Sequence, residues 1–169
     1  MTFFVRTAGR NDLAAISALL GETWHATYDG IYGPEKVSEI TGSWHSIKAL
    51  EPRLTRPESE FIVADDGSRI GGVAFAASSD PEKKLVMLHQ LYVHPDYQGQ
   101  GIGTDLLREI VDAFPGAKTM RLEVETANDK AIGFYVSLGF AEIGRTDNCG
   151  TSDSDSGIPA AVYEMALAT

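Results

Sequence analysis

The pattern of hydrophobic and polar positions predicts seven strands, with helices at four places between them. Alternating or continuous apolar runs predict strands at residues 3–8, 60–65, 70–77, 85–93, 119–124, 140–145 and 161–166. Apolar residues at helical spacing predict helices after Asp12, at Ile102 and after Asn128, and a short fourth helix between residues 35 and 50. This order predicts a single α/β domain over residues 1–169, with a mixed central sheet of about seven strands and helices on both faces.

Two segments give weaker patterns. Residues 27–57 mix apolar and polar positions without a clear period and are interrupted by Gly30, Gly33 and Pro34. Residues 147–160 are rich in Ser, Asp and Gly and short of side chains that can pack, so the sequence predicts a mobile loop there.

Composition and charge narrow the class of protein. Hydrophobic residues make up 43% of the chain, which excludes disorder over its whole length. The net charge of −10 argues against binding to a phosphate backbone, so we expect no nucleic-acid partner. That charge suits a cationic small molecule, although solubility alone also explains it.

We expect no membrane segment and a cytoplasmic protein, because no apolar run approaches the roughly 18–20 residues that a bilayer requires and the N-terminus lacks the pattern of a signal peptide. The single cysteine, Cys149, excludes an internal disulfide, and no zinc-type spacing suggests a metal.

The most informative segment is residues 91–104, where a strand end, a glycine-rich turn and a helix start follow one another. Gly99, Gly101 and Gly103 let the main chain approach a ligand closely, and the helix adds its unpaired amides and positive dipole end. This combination predicts an anion site suited to a pyrophosphate. A P-loop is disfavoured because no lysine follows the turn. The dinucleotide fingerprint lacks its last glycine at Thr104, although Glu123 lies where a ribose-binding acid would, which leaves a nicotinamide cofactor open.

Two motifs in this region resemble the GCN5-related N-acetyltransferases (the GNAT superfamily). The first is Gln98-x-x-Gly101-x-Gly103, preceded by the run Leu-Tyr-Val-His-Pro-Asp-Tyr at residues 91–97. The second runs from Asn128 to Phe140. The resemblance covers residues 85–146 most strongly, and the order of elements from residue 3 to 145 fits the family's fold. Residues 24–57 match no motif.

The resemblance implies acetyl-CoA as the cofactor and a splayed pair of parallel strands, here residues 85–93 and 119–124. It implies that backbone groups of Leu91, Tyr92 and Val93 pair with the pantetheine arm, and that one N–H there stabilises the negative charge that develops on the thioester oxygen. Asn128 and Tyr135 would face the cofactor. The pyrophosphate would be held by Gln98, Gly99, Gln100, Gly101, Ile102, Gly103 and Thr104.

The implied activity is an N-acetyltransferase in which a primary amine attacks acetyl-CoA directly within a ternary complex. Tyr135 is the expected acid for the departing thiolate, by resemblance and because its phenol holds a proton at neutral pH. The base is open. His89 shares a strand face with Leu91 and titrates near neutral pH, while Glu123, Glu125 or a water chain are the alternatives. Met87 stands where the family often has a glutamate.

The acceptor pocket is expected among the aromatic residues after the first helix, and Trp24, His25 and Tyr28 are the candidate substrate-binding residues. The four-residue spacing of Trp24 and Tyr28 equally suits a place in the core. The charge balance favours a small-molecule amine, with protein amines left open. A homodimer is expected from the family. The alternative function is a catalytically silent module that binds acetyl-CoA as a sensor or assembly subunit.

Overall fold

The computed structural model describes residues 2–147 and 158–167. The strands are β1 (Phe4–Thr7), β2 (Ser59–Asp65), β3 (Ile70–Asp80), β4 (Leu85–Val93), β5 (Thr119–Glu125), β6 (Ala141–Thr146) and β7 (Ala160–Ala166). The helices are α1 (Leu13–Tyr32), α2 (Pro34–Trp44), α3 (Ile47–Leu50), α4 (Ile102–Ala113) and α5 (Asp129–Ser137). All seven strands lie within a few residues of the positions that the sequence predicts. The predicted loop at 147–160 falls mostly outside the described residues, which omit 148–157.

The strands form one mixed sheet in the order β1-β2-β3-β4-β5-β7-β6. Strand β4 pairs parallel to β5, whereas β1 with β2, β5 with β7 and β6 with β7 are antiparallel. The register between β4 and β5 runs from Leu85 opposite Thr119 to Leu88 opposite Leu122, and both strands extend beyond that last pair. The mixed seven-stranded sheet confirms the predicted fold class, and an early end to pairing is what a splayed pair requires.

The chain forms two compact units. The first contains residues 1–76 and 90–113, and the second contains residues 77–89 and 114–169. The expectation of one domain over the whole chain therefore stays a prediction.

In the first unit, α1 and α4 bury apolar stripes. Helix α4 buries Ile102, Leu106, Leu107 and Ile110, and it approaches β3 closely at Gly72. A Cβ on Gly72 would lie 3.0 Å from side-chain atoms of both Ile102 and Leu106. The glycine thus lets the helix that follows the glycine-rich turn pack tightly on the strand.

Residues 27–57, which gave no clear pattern, are largely helical, and α2 and α3 lie where the sequence predicts a short helix between residues 35 and 50. Helix α1 continues to Tyr32 and ends at Gly33, whose φ of 87° stops it, and Pro34 begins α2. Gly30 marks no boundary because it lies inside α1, where it costs about 1 kcal/mol relative to alanine. Burial of Trp24 and Tyr28, each 1% exposed, offsets that cost.

The second unit packs β5, β7 and α5 around its own apolar side chains. The buried side chains of this unit include Met120, Leu122, Val124, Tyr135, Phe140, Ile158, Ala160, Ala161 and Tyr163. Gly139 ends α5 with a φ of 108°, as the sequence predicts for a left-handed cap.

Candidate active site

A glycine-containing turn joins β4 to α4 in the first unit. Gly99 and Gly101 have φ values of 83° and 84°, which side chains disfavour, and a Cβ at either position would meet no atom within 4 Å. Gly103 differs from its neighbours because it lies inside α4. The Asp105 amide donates to the Gly101 carbonyl at 3.0 Å, so the three amides between these residues have no acceptor within the helix. Amides without helical acceptors and the positive dipole end of a helix are features that favour an anion.

The turn is held in place by hydrogen bonds to the strands around it. The Gln98 side chain donates to the Val93 carbonyl at 3.1 Å, and the His94 amide donates to the Gly71 carbonyl at 2.8 Å. His94 Nε2 lies 2.6 Å from a carboxylate oxygen of Glu22 on α1. These bonds fix the shape of the turn before any ligand arrives, which lowers the entropy cost of binding.

Leu91, Tyr92 and Val93, the residues expected to contact the pantetheine arm, form the last three positions of β4. All three are half-buried. Their contacts with the cofactor stay predictions, as do those of Gln98, Gly99, Gln100, Gly101, Ile102, Gly103 and Thr104.

Tyr135 lies on α5 in the second unit and is 8% exposed. Its ring makes edge contacts with Phe134 and Phe140, at centroid distances of 5.4 and 5.7 Å. Burial, and then the negative charge of Glu125, raise the pKa of the Tyr135 phenol well above its ordinary value. The hydroxyl therefore holds its proton throughout the physiological pH range.

Asn128 caps α5, as the sequence predicts. Its side-chain oxygen accepts from the Ala131 amide at 3.1 Å, and its own amide donates to the Glu125 carbonyl at 2.9 Å. These two bonds link the end of β5 to the start of α5 in one tight turn. Its contact with the cofactor stays a prediction.

The candidate bases lie on the second unit's parts of β4 and β5. His89 and Glu123 each follow the last paired residue of their strand, Leu88 and Leu122. Since paired residues of parallel strands share a face, His89 and Glu123 both point to the face opposite to Leu88 and Leu122. His89 is exposed, Glu123 is half-buried and Glu125 is only 5% exposed. The arrangement keeps His89 and Glu123 together as candidates.

The three candidate substrate-binding residues lie in two different environments. Trp24 and Tyr28 face the core, with ring centroids 4.5 Å apart. His25 is half-buried at the surface, where Nδ1 lies 2.6 Å from Asp29 and Nε2 lies 3.2 Å from the Ser38 hydroxyl. Their substrate contacts stay predictions.

Sequence reasoning missed a polar group in the first unit, formed beside Trp24 by the buried His45 and Gln90 and the half-buried Arg53. Gln90 Nε2 lies 3.2 Å from His45 Nδ1, and burial, then the charge of Arg53, lower the pKa of His45 to about 3. The sequence feature that could have indicated this group is Gln90, a polar residue within the largely apolar strand β4. No motif or clear period in residues 27–57 indicated His45 or Arg53.

In residues 2–147 and 158–167, no helix has both the length and the apolar character needed to cross a bilayer. In the same residues, no group of three or more His, Cys, Asp or Glu side chains is arranged to hold a metal ion.

The mixed sheet, the early end of β4–β5 pairing and the anion-binding turn after β4 together define an acetyltransferase-type fold of the GNAT kind. A model of the acetyltransferase (GNAT) family matches residues 20–140, most of the chain. The chain therefore belongs to the GNAT family, which confirms the resemblance found in its motifs.

Individual proteins resemble the chain over different lengths. N-alpha-acetyltransferase RimI of Mycobacterium tuberculosis is 35% identical over 99 residues, which cover 57% of this chain and 61% of that protein. The [ribosomal protein bS18]-alanine N-acetyltransferase of Escherichia coli is 46% identical over 57 residues, covering 32% of this chain and 38% of that protein. The chain thus spans less than two thirds of the curated relatives it matches here.

Solved structures extend the likeness of fold to nearly the whole chain. The PaiA N-acetyltransferase of Thermoplasma acidophilum, solved in complex with coenzyme A, superposes with a TM-score of 0.83. It is 24% identical, and the match covers 98% of this chain and 99% of that one.

Proposed function

We propose that the protein is an acetyl-CoA-dependent N-acetyltransferase that acetylates a primary amine of a small molecule by direct attack within a ternary complex. Membership of the GNAT family supports the reaction class. The observation that carries the proposal is the turn between β4 and α4, where Gly99 and Gly101 in left-handed conformations precede three amides without helical acceptors.

The turn is the proposed binding site for the pyrophosphate of coenzyme A. Its free amides and the dipole of α4 favour a negatively charged group without any lysine or arginine in the turn itself. Backbone groups of Leu91, Tyr92 and Val93 are proposed to bind the pantetheine arm and to orient the thioester. Acetyl-CoA, when bound, supplies the acyl carbon that the amine attacks.

Tyr135 is the proposed proton donor to the departing sulfur. Its hydroxyl holds a proton at neutral pH because the phenol is buried and lies near the negative charge of Glu125. Glu125 is itself buried in the same unit, so the pair provides a site from which water is largely excluded. Positioned proton transfer of this kind contributes about 10²–10⁴-fold to rate.

The attacking amine must be neutral, so a base has to take a proton from the ammonium form. We propose His89 as that base, with Glu123 beside it on the same face. Glu125 and a water chain are the alternatives. Variants of His89, Glu123 and Glu125 distinguish among these bases by their loss of activity.

The acceptor is proposed to be a small-molecule amine. A polyamine, an amino acid derivative or an aminated antibiotic suits the net charge of −10. The names of the relatives offer a second acceptor class, since the E. coli protein is named for the alanine of a ribosomal protein.

The test mixes the purified protein with acetyl-CoA and a panel of amines, and follows free thiol with a chromogenic disulfide. The panel contains polyamines, amino acids, an aminoglycoside and a peptide with an N-terminal alanine. We expect thiol release above background with a small amine and an acetylated product by mass spectrometry. Release with the peptide alone would assign a protein acceptor.

Calorimetry with acetyl-CoA separates the two ways in which the assay can fail. Binding without thiol release from any amine would identify a silent acetyl-CoA-binding module. Absence of binding would contradict the proposed function and the silent module alike.

A further inference from the structure

The segment that leads from β4 into the glycine-containing turn is tied to α1 by a pair of polar side chains. Nε2 of His94, the residue directly after β4, lies 2.6 Å from a carboxylate oxygen of Glu22 on α1. The side chain of His94 is 20% exposed and that of Glu22 is 63% exposed. Both residues belong to the first unit, which also contains the turn. The proposed function assigns no role to either side chain.

His94 is bonded through both nitrogens of its ring. Its Nδ1 lies 3.1 Å from the amide nitrogen of Asp96, and since an amide can only donate, Nδ1 is the acceptor. This bond caps the short 3-10 helix Pro95–Tyr97. The Asp96 carboxylate lies farther from the same atom, at 3.8 Å. The ring hydrogen is therefore on Nε2, where it is donated to Glu22, and the charged acceptor holds the ring in this tautomer and orientation.

The main chain of His94 is bonded as well. Its amide donates to the Gly71 carbonyl of β3 at 2.8 Å, and its carbonyl accepts from the Tyr97 amide at 2.9 Å. Gln98 and Gly99 follow directly. The position of His94 thus determines where the chain enters the proposed pyrophosphate site.

A cleft of about 660 Å³ lies where α1, the β2–β3 hairpin turn and this segment meet. Helix α1 lines the cleft with the small side chains Ala15 and Ala18 and with Glu22, and the segment lines it with His94 and Asp96. Where two elements border a cleft, fewer apolar contacts fix the distance between them than in a packed interface. The polar bond between Glu22 and His94 therefore contributes a larger share of the contact between α1 and the segment.

We propose that Glu22 and His94 are positioning residues for the pyrophosphate of coenzyme A. Glu22 fixes the His94 ring, and the ring holds the segment before Gln98 so that the amides of the turn keep the arrangement that the anion needs. The inference rests on the proposed function for the identity of the ligand. A turn already held in its binding conformation loses less entropy when the ligand arrives, so the bond increases the affinity for coenzyme A.

A double-mutant cycle on the Kd for coenzyme A, measured by calorimetry, tests the pair. His94→Asn keeps an oxygen that can accept from the Asp96 amide but is too short to reach Glu22. Glu22→Ala removes the carboxylate. We expect either variant to raise Kd about 5-fold, as for a charge-assisted bond between partly exposed side chains, and the double variant to raise it no further. Unchanged Kd in both single variants, or a rise of about 25-fold in the double variant, would overturn the proposal.

Asp29→Ala is the matched control. Asp29 is also on α1, and its carboxylate lies 2.6 Å from His25 Nδ1, so this variant breaks a bond of the same kind and length away from the turn. We expect the Kd for coenzyme A to stay at the wild-type value. A rise equal to that in Glu22→Ala would indicate a general effect of α1 and contradict positioning by Glu22.

Acetyl donors with and without the diphosphate separate positioning of the turn from a general loss of structure. S-acetylpantetheine has the thioester and the pantetheine arm of acetyl-CoA but no diphosphate. We expect Glu22→Ala to raise the KM for acetyl-CoA about 5-fold and to leave the KM for S-acetylpantetheine unchanged. Equal rises with both donors would contradict a role at the diphosphate.

Amide hydrogen exchange in the free protein, followed by NMR, tests the link without any ligand. The amides of Asp96 and Tyr97 are both bonded to His94. We expect them to exchange about 5-fold faster in Glu22→Ala and at the wild-type rate in Asp29→Ala. Wild-type exchange rates in Glu22→Ala would overturn the proposal and leave the proposed function intact. Failure of the wild-type protein to bind coenzyme A would instead overturn the proposed function, and the positioning of its ligand with it.

Discussion

At the scale of single residues, the most specific chemical role proposed is that of Tyr135. Its phenol is buried between aromatic rings and near Glu125, so its pKa is raised and its proton retained. The proposed role depends on the phenol hydroxyl, which is the one group that tyrosine has and phenylalanine lacks.

Tyr135→Phe is therefore expected to lower kcat by about 10²-fold or more while leaving the affinity for acetyl-CoA nearly unchanged. Steady-state kinetics and calorimetry measure the two quantities. Tyr163→Phe, at another buried tyrosine of the same unit, is the control and should keep normal turnover. An unaltered kcat in Tyr135→Phe would remove this residue from the mechanism.

Gly101→Val is expected to abolish binding of acetyl-CoA, because a branched side chain destabilises the φ of 84° and stands at the face offered to the phosphate. Gly67→Val is the matched control, since Gly67 has a φ of 97° and equally open space around its Cβ. Both variants should lose similar stability in urea unfolding. Retained affinity in Gly101→Val would contradict the assignment of the turn.

His45 predicts a pH dependence of stability. Its pKa is about 3 in the folded protein against 6.5 in the unfolded chain. Below pH 6.5, His45 is therefore protonated in the unfolded chain but stays neutral in the native protein. The contribution of His45 to the free energy of unfolding is complete above pH 6.5. It is lost as the pH falls toward 3, at about 1.4 kcal/mol per pH unit.

Urea unfolding between pH 6 and pH 4 measures this slope. His45→Gln should remove about 1 kcal/mol per pH unit from it, and His25→Gln, at a half-buried surface histidine, is the comparison variant. The comparison concerns slopes, so a general loss of stability in either variant does not affect it. Identical slopes in wild type and His45→Gln would refute the effect.

At the scale of elements, the chemistry depends on where two helices begin. Helix α4 starts from the glycine-containing turn, and α5 starts from Asn128 directly after β5. Each helix end thus places main-chain donors or a capping side chain at the end of a strand. Both starts are local features, determined by glycine conformation and capping, which is why the sequence predicts them closely.

Asn128→Ala tests whether this cap also contacts the cofactor. Loss of the bond to the Ala131 amide should cost about 1 kcal/mol and lower Tm by roughly 2–4 °C. Ser46→Ala removes the corresponding cap of α3, where the hydroxyl accepts from the Ala49 amide at 3.1 Å, and should cost a similar amount. Only Asn128→Ala is expected to raise the KM for acetyl-CoA, and an equal KM in the two variants would limit Asn128 to capping.

In residues 27–57 the sequence predicts the helical segment between 35 and 50, where α2 and α3 lie, but misses where α1 ends. Gly30 looks like a boundary, yet it lies inside α1, because burial of Trp24 and Tyr28 outweighs the preference of one glycine. The contact between the buried side chains of His45 and Gln90 joins residues 45 positions apart in the chain. No local pattern indicates such a contact, whereas the turn and the cap depend on near neighbours alone.

At the scale of the whole molecule, the sequence predicts the mixed seven-stranded sheet and the GNAT family because the strands are regular and the two motifs are contiguous. The net charge of −10 agrees with an amine acceptor but does not select one. The homodimer stays a prediction, which light scattering of the purified protein decides. Our central claim is narrower: the main-chain amides at the start of α4 bind the pyrophosphate of coenzyme A.

A crystal structure of the protein grown with coenzyme A tests that claim most directly. We predict pyrophosphate oxygens within hydrogen-bonding distance, about 2.7–3.2 Å, of amides in the turn and the first turn of α4. Coenzyme A bound elsewhere on the chain, or absent from the turn at saturating concentration, would contradict the account.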